Sequence, residues 1–423
     1  MNKQVIYYPE DAVLRAVKQF ETPFFLYDEA RLRENCRNFK KAFSRHFPNF
    51  WPLYAVKANS NPEILKIIAE EGFDFDASSP SEVWITRKLG KTEDFAMSSI
   101  GMFTGNYNPA SELKYAKDAG YLLNLDDISM IPMLQEIGVS EFISLRINPG
   151  VGKATIESNV FAGPNAKYGI PFEQAAQAYA MVRDMGVKRF GIHMMTGSNV
   201  PIGEKNYFGD IIKKLLEVVA DIKEKTGVEI ELLNMGGGFG VPYRPEEDSL
   251  NMEEIALSVR KAFDEQCEKY GLKEPHLMAE PGRWITADMG FLVSRVDVIK
   301  DGYKKFVGID ASSNDMPRPS IYGAYHHVSV IQARESSGGK PETVSIAGKI
   351  CENNDQLAQD RELLHCEVGD IIVIHNCGAH AYSMGHNYNG RLRHAEYLLR
   401  IDGSFAKIRR AETFEDLYAT ILS

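Results

Sequence analysis

The sequence has little cysteine, no excess of positive charge and no long apolar run. Its five cysteines, Cys36, Cys267, Cys351, Cys366 and Cys377, are odd in number and show no Cys-x-x-Cys spacing. That argues against a disulfide framework or a zinc site and makes a reducing cytoplasm the expected compartment. The ten histidines include no His-Glu-x-x-His or similar pairing on one helical face, so no metal is expected. Lysine and arginine total 48 against 58 aspartates and glutamates, a formal net charge of -10. No basic surface therefore recommends a nucleic-acid or acidic-membrane partner. No apolar run reaches the roughly 18 residues needed to span a bilayer. The stretch from Met1 to Glu10 is polar and lacks the apolar core of a secretory leader. A serine-hydrolase reading finds no Gly-x-Ser-x-Gly.

What is present is the composition of a soluble globular protein, 44% apolar and 25% charged. Its 423 residues are enough for two well-filled domains. From about residue 24 to residue 285, short apolar runs alternate with longer amphipathic stretches. Residues 24–27, 53–56, 142–147, 189–193 and 229–233 read as strands, and Phe73-Asp74-Phe75-Asp76 precedes a Ser-Ser-Pro-Ser turn. Residues 29–46, 62–71, 82–89, 172–185 and 207–225 read as helices, with Ser81 as a candidate cap for the third. Repeated strand–helix units predict a parallel α/β barrel over an all-α or all-β fold, although an open doubly wound sheet has the same local pattern. After about Gly290 the texture changes to short β-branched segments at 293–299, 305–309, 327–333, 343–346 and 370–374, which read as a mainly β domain.

Three elements carry chemistry. In Tyr54-Ala55-Val56-Lys57-Ala58-Asn59 a lysine follows an apolar strand, where desolvation can turn an ammonium into a nucleophile toward an aldehyde. The plainer alternative is a solvated loop lysine. Asn234-Met235-Gly236-Gly237-Gly238-Phe239-Gly240 follows the strand at 229–233. Its glycines let backbone N–H groups approach an anion, as in barrel phosphate sites, although a tight turn also uses glycine. In Glu280-Pro281-Gly282-Arg283 a carboxylate suits a pyridinium nitrogen and a guanidinium suits a phosphate or carboxylate, unless the two form only a surface salt bridge. Two further elements are Cys351-Glu352-Asn353-Asn354-Asp355 and the run from Cys377 through His380 and Tyr388 to Arg391. Cys351 is either a core cysteine or a proton donor. Cys377 reads as core filler.

Taken in order, these elements resemble the fold-type III pyridoxal-phosphate amino-acid decarboxylases, the diaminopimelate decarboxylases most closely, over residues 22–399. The resemblance implies an α/β + β chain. A (β/α)8 TIM-like barrel at residues 24–285 would bind pyridoxal 5'-phosphate, and residues 1–23 plus 286–423 would form a β-sandwich or β-barrel domain. It implies a homodimer whose active sites are shared, acting on a small amino acid, with meso-diaminopimelate to L-lysine as the expected reaction. Lys57 matches the Schiff-base lysine and Glu280 the partner of the pyridine nitrogen. Ser198, Gly236, Gly237 and Gly238 match the phosphate cradle, and Arg283 lies near phosphate or substrate. His193 and Tyr388 fall among the cofactor contacts. Arg318 and Tyr322 match positions that bind the substrate carboxylate. Cys351 and Glu352 match the catalytic pair contributed by the second subunit, and Glu352 is placed to take the distal amino group of diaminopimelate. Glu352 balancing Arg361 is the plainer reading of that residue.

Two departures bear on substrate. Where the family shows His-x-His-Ile-Gly-Ser, this chain reads His193-Met194-Met195-Thr196-Gly197-Ser198. The histidine that stacks on the cofactor ring is therefore Met195 here, whose polarisable sulfur can still pack on a ring. The family's Gly-Ala-Tyr becomes Gly378-Ala379-His380, so His380 stands where a tyrosine hydroxyl touches cofactor or substrate. The same chemistry on a modified or carrier-tethered amino acid, or on a carboxylated polyamine, is therefore an alternative. An amino-acid racemase and a non-catalytic decarboxylase homologue are the others. The retained Lys57 and Cys351 speak against the last.

Overall fold

The computed structural model describes residues 6–89, 100–152, 160–200, 206–333 and 340–422. The chain divides into two compact units, one of residues 33–240 and 249–285, the other of residues 1–32, 241–248 and 286–423.

The first unit is a closed barrel of eight parallel strands: β1 (Trp51–Ala55), β2 (Asp74–Ala77), β3 (Gly101–Phe103), β4 (Leu122–Leu125), β5 (Phe142–Asn148), β6 (Arg189–His193), β7 (Ile230–Asn234) and β8 (His276–Ala279). Each pairs with the next in parallel, and β8 returns to β1 with Met278 opposite Trp51. Trp51, Leu53, Met102, Phe142, Leu232 and Met278 form one buried cluster. Asp74 joins it without cost in unpaired polarity, because Trp51 Nε1 donates to Asp74 Oδ2 at 2.8 Å.

Local chemistry sets the helices between the strands. Asn61 caps Pro62–Glu70 by accepting from the Glu63 N–H at 3.0 Å, a contact worth about 1 kcal/mol. Ile64, Leu65, Ile67 and Ile68 of that helix are buried. Tyr207–Thr226 buries a stripe that includes Ile211, Ile212, Leu215, Leu216 and Val219, then ends at Gly227 in the left-handed region. The helix expected at 82–89 runs Pro80–Arg87 instead, and its cap is Ser79, not Ser81: Ser79 Oγ accepts from the Glu82 N–H at 3.4 Å, and Pro80 opens the first turn.

The second unit centres on a nine-stranded sheet ordered Gln356–Leu363, Glu342–Ala347, Lys305–Ile309, Gly290–Asp301, Phe24–Asp28, Ala395–Leu399, Phe405–Arg409. Ile371–Ile374 pairs with Gly290–Asp301 and with Val328–Ile331. Phe24–Asp28, expected at the start of the barrel, belongs to this sheet, antiparallel to Gly290–Asp301 and parallel to Ala395–Leu399. All five of its residues are buried, so its continuous apolar run suits a central strand of either sheet. Residues 1–5 of the expected β part lie outside the described residues.

Candidate active site

The C-terminal ends of the barrel strands gather the charged side chains. Lys57 sits in the one-turn helix Val56–Ala58 that follows β1, and its Nζ is 2.7 Å from Asp76 Oδ2 at the end of β2. Burial works to lower the Lys57 pKa, but the carboxylates of Asp76 and Glu280 outweigh it and push it up to about 12. Asp76 is pushed up as well, by its complete burial and then by the charge of Glu280, with Lys57 opposing. The short contact is an ion pair in which the amine holds the proton.

Glu280 follows β8 and is 5% exposed. Its Oε1 accepts from Asn234 Nδ2 at 2.6 Å, and its Oε2 lies 3.5 Å from His193 Nε2. Burial alone would raise its pKa; His193, Lys57 and the Asn234 amide overcome that and hold it at about 2. Glu280 is thus an ionised carboxylate buried among hydrogen-bonding side chains, suited to a cationic ring nitrogen. Arg146, at the end of β5, is also buried, 3.4 Å from Asp126 Oδ1 and 3.2 Å from Asn106 Oδ1.

The glycine loop after β7 packs backbone to backbone. Gly236 has φ +69°, and a Cβ there would lie 2.6 Å from the Met194 carbonyl oxygen; a Cβ on Gly237 would lie 2.5 Å from that of Glu280. No side chain fits at either position. Among the described residues the Gly237 N–H meets only a soft acceptor, Met195 Sδ at 3.2 Å. Arg283 Nη2 donates to Ser198 Oγ at 3.1 Å. Backbone N–H, hydroxyl and guanidinium make a donor set for a phosphate.

Lys57, His193, Ser198, Gly236, Gly237, Gly238, Glu280 and Arg283 therefore all lie in the barrel unit. The other expected residues lie in the second unit. Arg318 and Tyr322 open and close the short helix Arg318–Tyr322. Cys351 and Glu352 are exposed in the turn before Gln356–Leu363, where the Cys351 N–H donates to Asn389 Oδ1 at 2.6 Å. Tyr388 is 46% exposed in the adjoining turn Tyr388–Gly390, and His380 holds φ 56°. Arg361 lies over the Tyr325 ring at 3.5 Å, and among the described residues no ion pair joins it to Glu352. Cys377 is core: buried, with its thiol pushed up to about 12 by that burial and donating to the Ile374 carbonyl at 3.2 Å.

Sequence reasoning missed Asp76, Asn234 and the Arg146–Asp126 pair. The signal for Asp76 was the alternation Phe73-Asp74-Phe75-Asp76, which sets its carboxylate on the same face as that of Asp74. Asn234 was read only as the first residue of the glycine loop.

Comparison with known proteins fixes the family. Residues 29–287 match the family described as pyridoxal-dependent decarboxylase, pyridoxal binding domain. The chain belongs to the pyridoxal-dependent decarboxylases. A diaminopimelate decarboxylase from Methanothermobacter thermautotrophicus is 38% identical to this decarboxylase over 400 residues, 94% of this chain and 91% of that one. Protein TabA from Pseudomonas amygdali pv. tabaci is 37% identical over 398 residues, 94% and 90% of the two chains. The crystal structure of diaminopimelate decarboxylase from M. jannaschii in co-complex with L-lysine superposes with a TM-score of 0.86 at 31% identity, covering 97% of this chain and 94% of that one. The decarboxylase is a pyridoxal-phosphate enzyme acting on an amino acid, with the barrel plus β-sheet plan of these relatives. The residues at its strand ends fit that cofactor: an amine, a buried carboxylate and a glycine loop that a Cβ would block.

Proposed function

We propose that the protein decarboxylates meso-diaminopimelate to L-lysine. Near-complete coverage by the diaminopimelate decarboxylases carries this reading, and Lys57, Glu280 and the glycine loop support its chemistry. Pyridoxal phosphate, when bound, supplies the electron sink that takes up the pair released as the carboxylate leaves.

The chain's own residues do the rest. Lys57 would be the attachment amine, and Asp76, which accepts a hydrogen bond from its ammonium, holds it in place at the barrel mouth. Glu280, held ionised by His193, Lys57 and Asn234, would pair with the ring nitrogen and favour its protonated form. Gly237 N–H, Ser198 and Arg283 hold the phosphate and so fix the ring's position; His193 lines the ring's site beside Glu280. Arg318 and Tyr322 take the distal carboxylate, and Glu352 takes the distal ammonium. His380 borders the substrate and Tyr388 the cofactor. Cys351, an exposed thiol, returns a proton to Cα. Cys351 and Glu352 serve the active site of a second copy in a homodimer, and the exposure of their turn supports that assignment. The cytoplasm is the proposed compartment, supported by five unpaired cysteines. The cofactor domain would be the barrel unit, residues 33–240 and 249–285, with the second unit as the β domain.

A second reading keeps the reaction and changes the substrate. Met195 and His380 depart from the family pattern, and TabA, at 37% identity against 38% for the Methanothermobacter enzyme, does not carry the diaminopimelate name. Carbon dioxide release by the cofactor-loaded protein separates the readings, with meso-diaminopimelate compared against L-lysine, L-ornithine and L-arginine. Release from diaminopimelate alone is expected. Silence on all four substrates from a correctly loaded protein overturns the first reading in favour of the second.

A further inference from the structure

Arg318 is held by a buried set of hydrogen bonds that none of the roles above uses. Its Nη1 donates to Tyr243 Oη at 2.9 Å and to His326 Nε2 at 2.7 Å. Its guanidinium carbon lies 4.8 Å from the Tyr243 ring centroid, and the Tyr243 and His326 rings meet nearly edge to face at 4.9 Å. All three side chains are buried, with His326 at 0% exposure.

The chemistry of these groups fixes their protonation. A guanidinium has donors only, so His326 Nε2 must accept. The imidazole is then neutral with its proton on Nδ1, and Nδ1 lies 2.8 Å from the His375 carbonyl, which accepts it. The two bonds use both hydrogens of Nη1 and set the plane of the guanidinium fork. The supports are themselves tied down. The His375 N–H donates to the His327 carbonyl at 2.9 Å, and Asn376 Nδ2 donates to the Pro242 carbonyl at 2.7 Å, next to Tyr243. The backbone at the end of Ile371–Ile374 thus orients the arginine through one histidine.

We propose that His326, with Tyr243, is a positioning residue for Arg318 and thereby sets the preference for amino acids that carry a second, distal carboxylate. The inference rests on the reading that Arg318 binds that carboxylate. A planar, bidentate contact to a carboxylate tolerates little rotation of the fork, so loosening Nη1 weakens recognition of the carboxylate and leaves the bond-breaking chemistry untouched.

The test uses the cofactor-loaded enzyme and two competitive inhibitors: L-lysine, which keeps the distal-end carboxylate, and cadaverine, which lacks it. His326→Leu removes the acceptor, His326→Gln keeps an acceptor oxygen near Nε2, and Tyr243→Phe removes only a hydroxyl. His326→Leu is expected to raise KM for meso-diaminopimelate and Ki for L-lysine by roughly tenfold or more, with kcat and the cadaverine Ki nearly unchanged. His326→Gln recovers most of the loss. Tyr243→Phe, which keeps its packing, shows the same selective loss in smaller degree and carries the comparison if His326→Leu does not fold. Equal weakening of L-lysine and cadaverine overturns the proposal, because a merely structural role would act on both. Unchanged constants in the His326 and Tyr243 variants, with a raised KM in Arg318→Gln, overturn it while leaving the carboxylate reading intact. Unchanged constants in Arg318→Gln itself overturn that reading and the inference with it.

Discussion

One amide, Asn234, ties the Glu280 carboxylate to the glycine loop. Asn234 Nδ2 donates to Glu280 Oε1 at 2.6 Å while its Oδ1 accepts from the Gly236 N–H at 2.9 Å. The Glu280 N–H in turn donates to the Gly236 carbonyl at 2.8 Å. The proposed ring-nitrogen partner and the proposed phosphate loop are therefore placed by the same few bonds between β7 and the turn after β8.

Glu280→Gln keeps the shape of this arrangement and removes its charge. The expected result is a kcat lower by roughly 100-fold with cofactor still bound, read by steady-state kinetics alongside the cofactor spectrum. Asn234→Leu strands both the carboxylate and the Gly236 N–H, and is expected to cost about 1–3 kcal/mol of stability for each buried group left unpaired, measured by urea unfolding.

The pH dependence of apo-protein stability follows from the same carboxylate. Its folded pKa of about 2 lies below the ordinary value of 4.5. Its contribution is present above pH 4.5 and is lost as pH falls through the folded value, a total of about 3 kcal/mol. Lys57 behaves oppositely: raised from 10.5 to about 12, it stabilises below its unfolded value and loses that contribution as pH rises through the folded one. Urea unfolding between pH 3 and pH 6 is expected to show the wild type losing its advantage over Glu280→Gln toward the acid end.

How much of this was legible in the sequence depended on the kind of signal. The helix Pro62–Glu70 was read to within one residue of its ends, but its cap, Asn61, was not. The helix Met252–Tyr270 was not read, although Asn251 caps it and Gly271 ends it in the left-handed region. Gly101–Phe103 and Leu122–Leu125 escaped because three or four residues give no period to count. Phe24–Asp28 was seen as a strand but placed in the wrong sheet, since a run buried on both faces looks alike in either. In the site, Lys57, the glycines and Glu280 stand in recognisable strings. Asp76 and Asn234 act through partners 19 and 46 residues away, which only the closed barrel brings together.

Gly237 tests the close approach of the loop. Gly237→Ala places a methyl where the Glu280 carbonyl oxygen lies 2.5 Å away, so the backbone must move. Cofactor affinity is expected to fall at least tenfold, about 1.4 kcal/mol, read by titrating the apo-protein with pyridoxal phosphate. Unchanged affinity would show that the loop does not hold the phosphate.

The role of Lys57 is the claim on which the rest depends, and trapping the cofactor tests it directly. The loaded protein is reduced with borohydride, digested, and mapped by mass spectrometry for a pyridoxyl-modified lysine. The predicted result is one modified site, Lys57, with Lys57→Ala losing both the adduct and carbon dioxide release. An adduct on a different lysine, or turnover retained in Lys57→Ala, would contradict the account.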